Sequence, residues 1–288
     1  MLKLVKPAIV AIIGFYTLLG DSRARAETPD LPKDYHLSCY AHVRASHIQG
    51  AFTRDGRPEK PSDYSSYQFA RDGGGFGIAC NYRPRPVISL TTGGEFYAGK
   101  MEIDYRLSYL RGLFSATEIS FRGWQELLFH IKSRTDIGIH AGVQFSPDGT
   151  LTTNNLELKV GTAMFDLTDF AKKGINITGA MQIWEAGIVS RVRLARGISL
   201  TLDVLWQEYN ITAHIKFDEA ATQALSKFGY STDSLAKITN GMDLVLVKPG
   251  ITWCFRQLLC LNLDVPVGIF DANSWIWGLT FRAAAFLP

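Results

Sequence analysis

Residues 35–45, "YHLSCYAHVRA", alternate without a break. Tyr35, Leu37, Cys39, Ala41, Val43 and Ala45 fall on one side, and His36, Ser38, Tyr40, His42 and Arg44 on the other. Side chains with period two mark an extended strand. Such a strand is apolar on one face and polar on the other, and the fold turns on which face is inside.

The pattern recurs along the chain. Met101, Ile103, Tyr105 and Leu107 alternate with Glu102, Asp104, Arg106 and Ser108. Ile137 to Phe145 alternate with Gly138, His140, Gly142 and Gln144, and Leu156, Leu158 and Val160 with Glu157 and Lys159. The same rhythm places Asp203, Asp264 and Arg282 opposite the apolar sets of 198–206, 259–269 and 275–285. The segments predicted as strands are 35–45, 64–82, 87–98, 101–111, 113–122, 135–145, 151–165, 175–194, 198–217, 242–254, 259–270 and 275–286. They are long for a soluble sheet and match the roughly 9–11 residues that a tilted strand needs to cross a bilayer. Tight turns are expected at 83–86, 111–112, 146–150, 195–197 and 255–258, and longer connections at 46–63, 123–134, 166–174 and 218–240. Ala220, Ala221, Leu225 and Phe228 have helical spacing, which predicts one short helix in an external loop.

Residues 1–26 lie apart from this pattern. Lys3 and Lys6 precede an apolar run from Pro7 to Gly20, and Ala24-Arg25-Ala26 closes it. The arrangement predicts a secretory signal peptide, cleaved before Glu27, with 27–288 forming the barrel described below. The run, about 14 residues, is too short for a spanning helix. The segment carries Lys3, Lys6, Arg23 and Arg25 against Asp21, so it accounts for the whole net charge of +3 and leaves the mature chain neutral. A neutral chain gives no electrostatic reason to bind nucleic acid.

Two architectures accept long alternating strands. A soluble sandwich puts the apolar faces in a core; a transmembrane barrel turns them toward lipid and encloses the polar faces. Three features favour the barrel. The polar face mixes small residues (Gly138, Gly142, Gly161, Ala163, Gly278, Ala284) with isolated charges. Aromatic residues gather at strand ends: Tyr35, Tyr82, Tyr109, Phe145, Trp206, Trp253, Trp275, Trp277 and Phe286. The export signal and the alternation of short and long connections both match the barrel. The expected fold is an all-β antiparallel transmembrane barrel of about 12 strands, with both termini on one side.

On these residues the chain resembles bacterial outer-membrane β-barrel proteins over the whole of 27–288. The last strand, "SWIWGLTFRAAAFLP", is similar to the C-terminal strand that the barrel-assembly machinery recognises in that class, although it ends Phe-Leu-Pro. The resemblance implies the outer membrane as location, its lipid as surroundings and the assembly machinery as a partner during biogenesis.

The lumen is expected to hold Arg44, Glu102, Asp104, Arg106, His140, Glu157, Lys159, Arg191, Arg193, Asp203, Asp264 and Arg282. They would either set the selectivity of a path for small polar solutes or pair off into a plug, because charges buried alone cost several kcal/mol each. Cys254 and Cys260 flank a short turn and are expected to form a disulfide; Cys39 and Cys80, on apolar faces, read as free thiols. No cofactor or metal is expected: His36 and His42 lie about 20 Å apart along the strand. The enzymatic reading rests on His36-Leu37-Ser38, which is similar to the dyad of outer-membrane phospholipase A and lipid A deacylase barrels; there Ser38 would be nucleophile and His36 base. A third reading is surface adhesion or docking through 46–63 and 218–240.

Overall fold

A computed structural model describes residues 37–54, 65–107, 110–132, 134–160, 162–195, 197–227, 237–255, 259–271 and 274–286. The predicted signal segment, His36, Tyr35, Tyr109 and Gly161 lie outside the described residues. The described residues form one antiparallel sheet of twelve strand segments: β1 (Leu37–Arg54), β2 (Ser65–Arg85), β3 (Ile88–Leu107), β4 (Leu110–Lys132), β5 (Thr135–Val160), β6 (Ala163–Asp166), β7 (Ile175–Ala195), β8 (Ile198–Phe217), β9 (Lys237–Phe255), β10 (Leu259–Asp264), β11 (Val267–Asp271) and β12 (Ser274–Phe286). Among the described residues, two short helices, α1 (Thr168–Gly174) and α2 (Glu219–Lys227), sit in connections at one rim.

Pairing of β1 with β12 closes the sheet into a barrel. Ten strand positions form the ring, because β6 only pairs with β5 as an appendage and β10 and β11 are two halves of one crossing between β9 and β12. The break between them falls at Pro266, which has no N–H for the ladder.

Several expected turns are strand instead. Residues 101–107, expected as part of a separate strand 101–111, continue β3, and the expected connections 111–112 and 123–132 belong to β4. The "SPDGT" turn at 146–150 lies inside β5, where the register with β7 slips between Ser146 and Gly149. Residues 46–54 extend β1. The strands are therefore fewer and longer than the sequence reading has them, at 18–26 residues for β1–β5.

The polar face is inside at membrane level. Val43, Phe76, Ile78, Phe121, Ile139, Ile188, Ile251 and Phe281 are all exposed on the outer wall, whereas His42, Glu95, Ser120, His140, Glu185 and Thr280 are buried. Trp184, Trp253, Trp275 and Trp277 join the outer belt. On β3 the outward positions run from Ile88 to Ala98 before Lys100, a height of about 25 Å once strand tilt is allowed for. A cross-strand row of His47, Asp72, Lys100 and Thr117 marks the outer edge of this belt.

Above that row the chemistry reverses while the alternation continues. Ile103, Leu244, Leu246 and Ile276 point inward and are buried, with Ile48, Phe69 and Tyr209 packed on the last three. Here the barrel stands clear of lipid and closes over an apolar core, as a soluble sheet does.

Candidate functional site: the charged interior

The interior at membrane level is a belt of paired side chains. Its arginine–glutamate pairs each reach over one intervening strand, whereas His140, His130, Arg193 and Lys248 meet acids on adjacent strands. His42 and Arg44 of β1 hold Glu95 of β3 at 3.1 and 2.9 Å. Arg71 of β2 donates two hydrogen bonds, at 2.5 and 2.6 Å, to the Glu118 carboxylate of β4. Arg122 of β4 donates to Glu185 of β7. His140 of β5 lies between Glu126 at 3.3 Å and Glu185 at 3.1 Å, and Arg191 donates to Glu126 at 2.6 Å. Nearer the short-turn rim, Asp136 meets His130 at 2.6 Å and Arg193 at 3.4 Å, and Lys248 faces Asp203 at 3.7 Å.

Glycine on the strand between makes these spans possible. A Cβ on Gly142 would lie 2.6 Å from Oε1 of Glu185, and one on Gly77 2.6 Å from the His42 ring. The long side chains lie flat over bare backbone, which is what the mixture of small and charged residues on this face encodes.

The charges balance. Arg44, Arg71, Arg122, Arg191, Arg193, Lys248 and Arg282 stand against Glu95, Glu118, Glu126, Asp136, Glu185, Asp203 and Asp264. The side chains of Glu95, Glu118 and Glu185 are 1%, 5% and 6% exposed, so each carboxylate is enclosed by neighbouring protein. Cation–π contacts of Arg71 with Tyr97 (4.3 Å) and Arg122 with Trp124 (5.3 Å) pack the remaining space.

The structure brings Arg44, His140, Arg191, Arg193, Asp203 and Asp264 into this belt, Asp264 accepting from Asn262 at 3.2 Å. Arg282 lies in register between Arg44 and Asn262. Glu102, Asp104, Arg106, Glu157 and Lys159 are not in the lumen. They keep the predicted alternation but sit beyond the membrane edge, where the polar face is outside: Ile103 is buried between exposed Glu102 and outward Asp104. Glu157 pairs in register with Arg111 of β4, which is on the outer face. Arg106 and Arg111 both donate to Asp104, at 2.6 and 3.5 Å. The hydrogen bonds from Arg106 hold the Asp104 carboxyl below the usual carboxylate range.

Sequence reasoning missed Glu95, Arg71, Glu118, Arg122, Glu126 and Glu185. The recoverable signal is a charge flanked at two-residue spacing by glycine or a small residue, as in Gly93-x-Glu95 and Glu185-x-Gly187. Ser38 lies at the short-turn end of β1 opposite Asn81. Both disulfides are cross-strand pairs at that rim: Cys254–Cys260, as expected, and Cys39–Cys80. The free-thiol reading of the latter is corrected by the register, which sets Cys39 directly opposite Cys80 with Cα atoms 4.0 Å apart.

A closed ring of strands with an apolar outer belt, aromatic residues at its edges and a polar, paired interior defines a bacterial outer-membrane β-barrel protein. The chain is similar in fold to the outer-membrane protease OmpT from Escherichia coli, with a TM-score of 0.51 and 10% identity over 86% of this chain and 95% of that one. It also aligns with the COG4313 outer-membrane channel from Pseudomonas putida F1, at a TM-score of 0.44 and 10% identity over 89% and 99% of the two chains. No protein-family model matches the chain, and no curated protein matches it by sequence.

Proposed function

We propose that this chain is a plugged outer-membrane barrel. It is exported by residues 1–26, inserted by the assembly machinery, and serves as a scaffold for the surface above the membrane rather than as a pore for small polar solutes. One observation carries the reading: the carboxylates of Glu95, Glu118 and Glu185 are buried and each is held by an arginine at membrane level. Ions crossing there would have to part these pairs, and leaving one charge buried alone costs about 3–5 kcal/mol. The apolar core of Leu244, Leu246 and Ile276 is a second closure above it.

The working surface is then the outer rim, where α1, α2, the β5–β6 hairpin and the Asp104–Arg106–Arg111 cluster stand. This supports docking or adhesion over conduction, with the 46–63 and 218–240 regions contributing. Reconstitution in planar bilayers tests the reading. Wild-type protein is expected to give no resolved conductance steps. Regular steps from the wild type would restore the solute path. The lipid-ester hydrolase alternative stands or falls separately: any phospholipase or deacylase activity must vanish in Ser38→Ala.

A further inference from the structure

We propose that the lipid-facing wall of β2–β5 is an interface at which two copies of this chain pair in the plane of the membrane, about a two-fold axis near Gln125. The outward residues of β4 are Ile131, Phe129, Leu127, Gln125, Gly123, Phe121 and Ile119. Gln125 is the middle one, so it faces hydrocarbon at the centre of the bilayer. It is exposed, and directly opposite it on β3 stands Thr92, also outward and exposed. An amide in hydrocarbon without a hydrogen-bond partner is costly, and polar groups at that depth mark contacts with other chains or with water-filled space.

The surroundings form a receptor for a flat, close partner. Next to Gln125 and Thr92 in the register, Gly123 and Gly94 lie side by side and bare the backbone of both strands. Beyond them, Phe76, Phe96, Phe121 and Phe145 form an unbroken cross-strand row over β2–β5, with successive ring centroids at 5.5 Å and 5.3 Å for the first three. The row walls one side of a groove of about 720 Å³ floored by the two glycines. Small residues that let backbones approach and polar side chains that bond across the contact are the features that join chains in lipid, where apolar burial gives no drive.

The chemistry selects a second copy over an acyl chain. A lipid tail fills the groove but offers the amide nothing. A glutamine amide is both donor and acceptor, so near a two-fold axis it meets its own copy and the two form a reciprocal pair of hydrogen bonds.

Cross-linking of the full-length protein in native membranes tests this. Ala141→Cys places a thiol on β5 directly beside Gln125 and leaves the amide intact. A short bis-maleimide is expected to join Ala141→Cys into dimers, and to leave Ile188→Cys, on the outer face of β7, monomeric. Adding Gly123→Leu is expected to abolish the dimer while the barrel keeps its heat-modifiable gel mobility. Adding Gln125→Leu should weaken association roughly three- to tenfold. Equal cross-linking of Ala141→Cys and Ile188→Cys would overturn the proposal. So would a wild-type mass, in mild detergent, of one chain carrying a lipid that Gly123→Leu releases, which would assign the groove to an acyl chain.

Discussion

Arg122 on β4 and Glu185 on β7 meet over the backbone of Gly142 on the strand between them. The same carboxylate accepts from Gln207 Nε2 and lies against His140 Nε2, at 3.1 Å each, so four strands are tied at one group. This contact shows how a ten-position barrel fills itself: one strand withdraws its side chain and its neighbours reach across.

Removing Glu185 therefore leaves Arg122 buried without its acid. Glu185→Ala is expected to destabilise the folded barrel by about 3–5 kcal/mol. Urea unfolding followed by tryptophan fluorescence reads the change. An unaltered midpoint would mean that the pair is not formed in the folded protein.

Filling the gap should be harmful from the other side. Gly142→Val puts methyl groups where the Glu185 carboxylate lies and is expected to cost about 1–3 kcal/mol by the same measurement. Gly149→Ala is the control. Its added Cβ meets nothing closer than the Thr117 carbonyl oxygen at 3.4 Å, and the expected change is within about 0.5 kcal/mol.

The two disulfides differ in the chain they enclose, with sequence separations of 41 and 6. Loop entropy assigns about 4 kcal/mol to Cys39–Cys80 and about 2 kcal/mol to Cys254–Cys260. The paired replacement Cys39→Ser, Cys80→Ser should lower the unfolding midpoint more than Cys254→Ser, Cys260→Ser. The opposite order would show that strand pairing alone fixes the β1–β2 rim.

Acid acts on the outer cluster. The Asp104 carboxyl titrates lower in the folded protein than in the unfolded chain, because Arg106 and Arg111 donate to it. Its stabilising contribution is thus fully present above the unfolded pKa of about 4 and is lost as the pH falls through the lower folded value. Wild type and Asp104→Asn should differ in unfolding midpoint at pH 7, with the gap shrinking from about pH 4 downward and closing only below the lower folded value. A gap that persists at low pH would assign the difference to something other than this charge.

The alternation at 35–45 is enough to read a lipid-facing belt and an enclosed polar face, and it recurs along most of the strands. It misled where the solvent outside the wall changed. Glu102, Asp104 and Arg106 occupy positions of the predicted parity, yet they stand where the outer wall meets water, and their apolar neighbours Ile103 and Tyr105 turn inward. No residue in the pattern itself reports the height of the membrane edge; the row His47–Asp72–Lys100–Thr117 becomes visible only when four strands are set in register. Strand β4 hid for a different reason. In Gly123–Lys132, Trp124 and Leu128 are apolar inward while Leu127, Phe129 and Ile131 are apolar outward, so period two disappears. Ser146-Pro147-Asp148-Gly149 has the composition of a turn, and β5 accommodates it as a slip in register. Splitting β3 and β5 into two strands each gave two crossings too many. The belt of ion pairs was half legible: the cations Arg44, Arg191 and Arg193 were found, but Glu95 and Glu118 pair over 47–51 residues of separation that only the fold brings together.

Thiol labelling at two neighbouring positions decides between a packed lumen and an open one. Ser120 is fully buried inside the barrel, and Phe121, the next residue, faces lipid. In vesicles, Ser120→Cys is expected to resist a water-soluble maleimide until urea unfolds the protein, while Phe121→Cys reacts with a membrane-permeant maleimide in the folded state. Rapid labelling of folded Ser120→Cys by the water-soluble reagent would contradict the closed interior on which the functional reading rests.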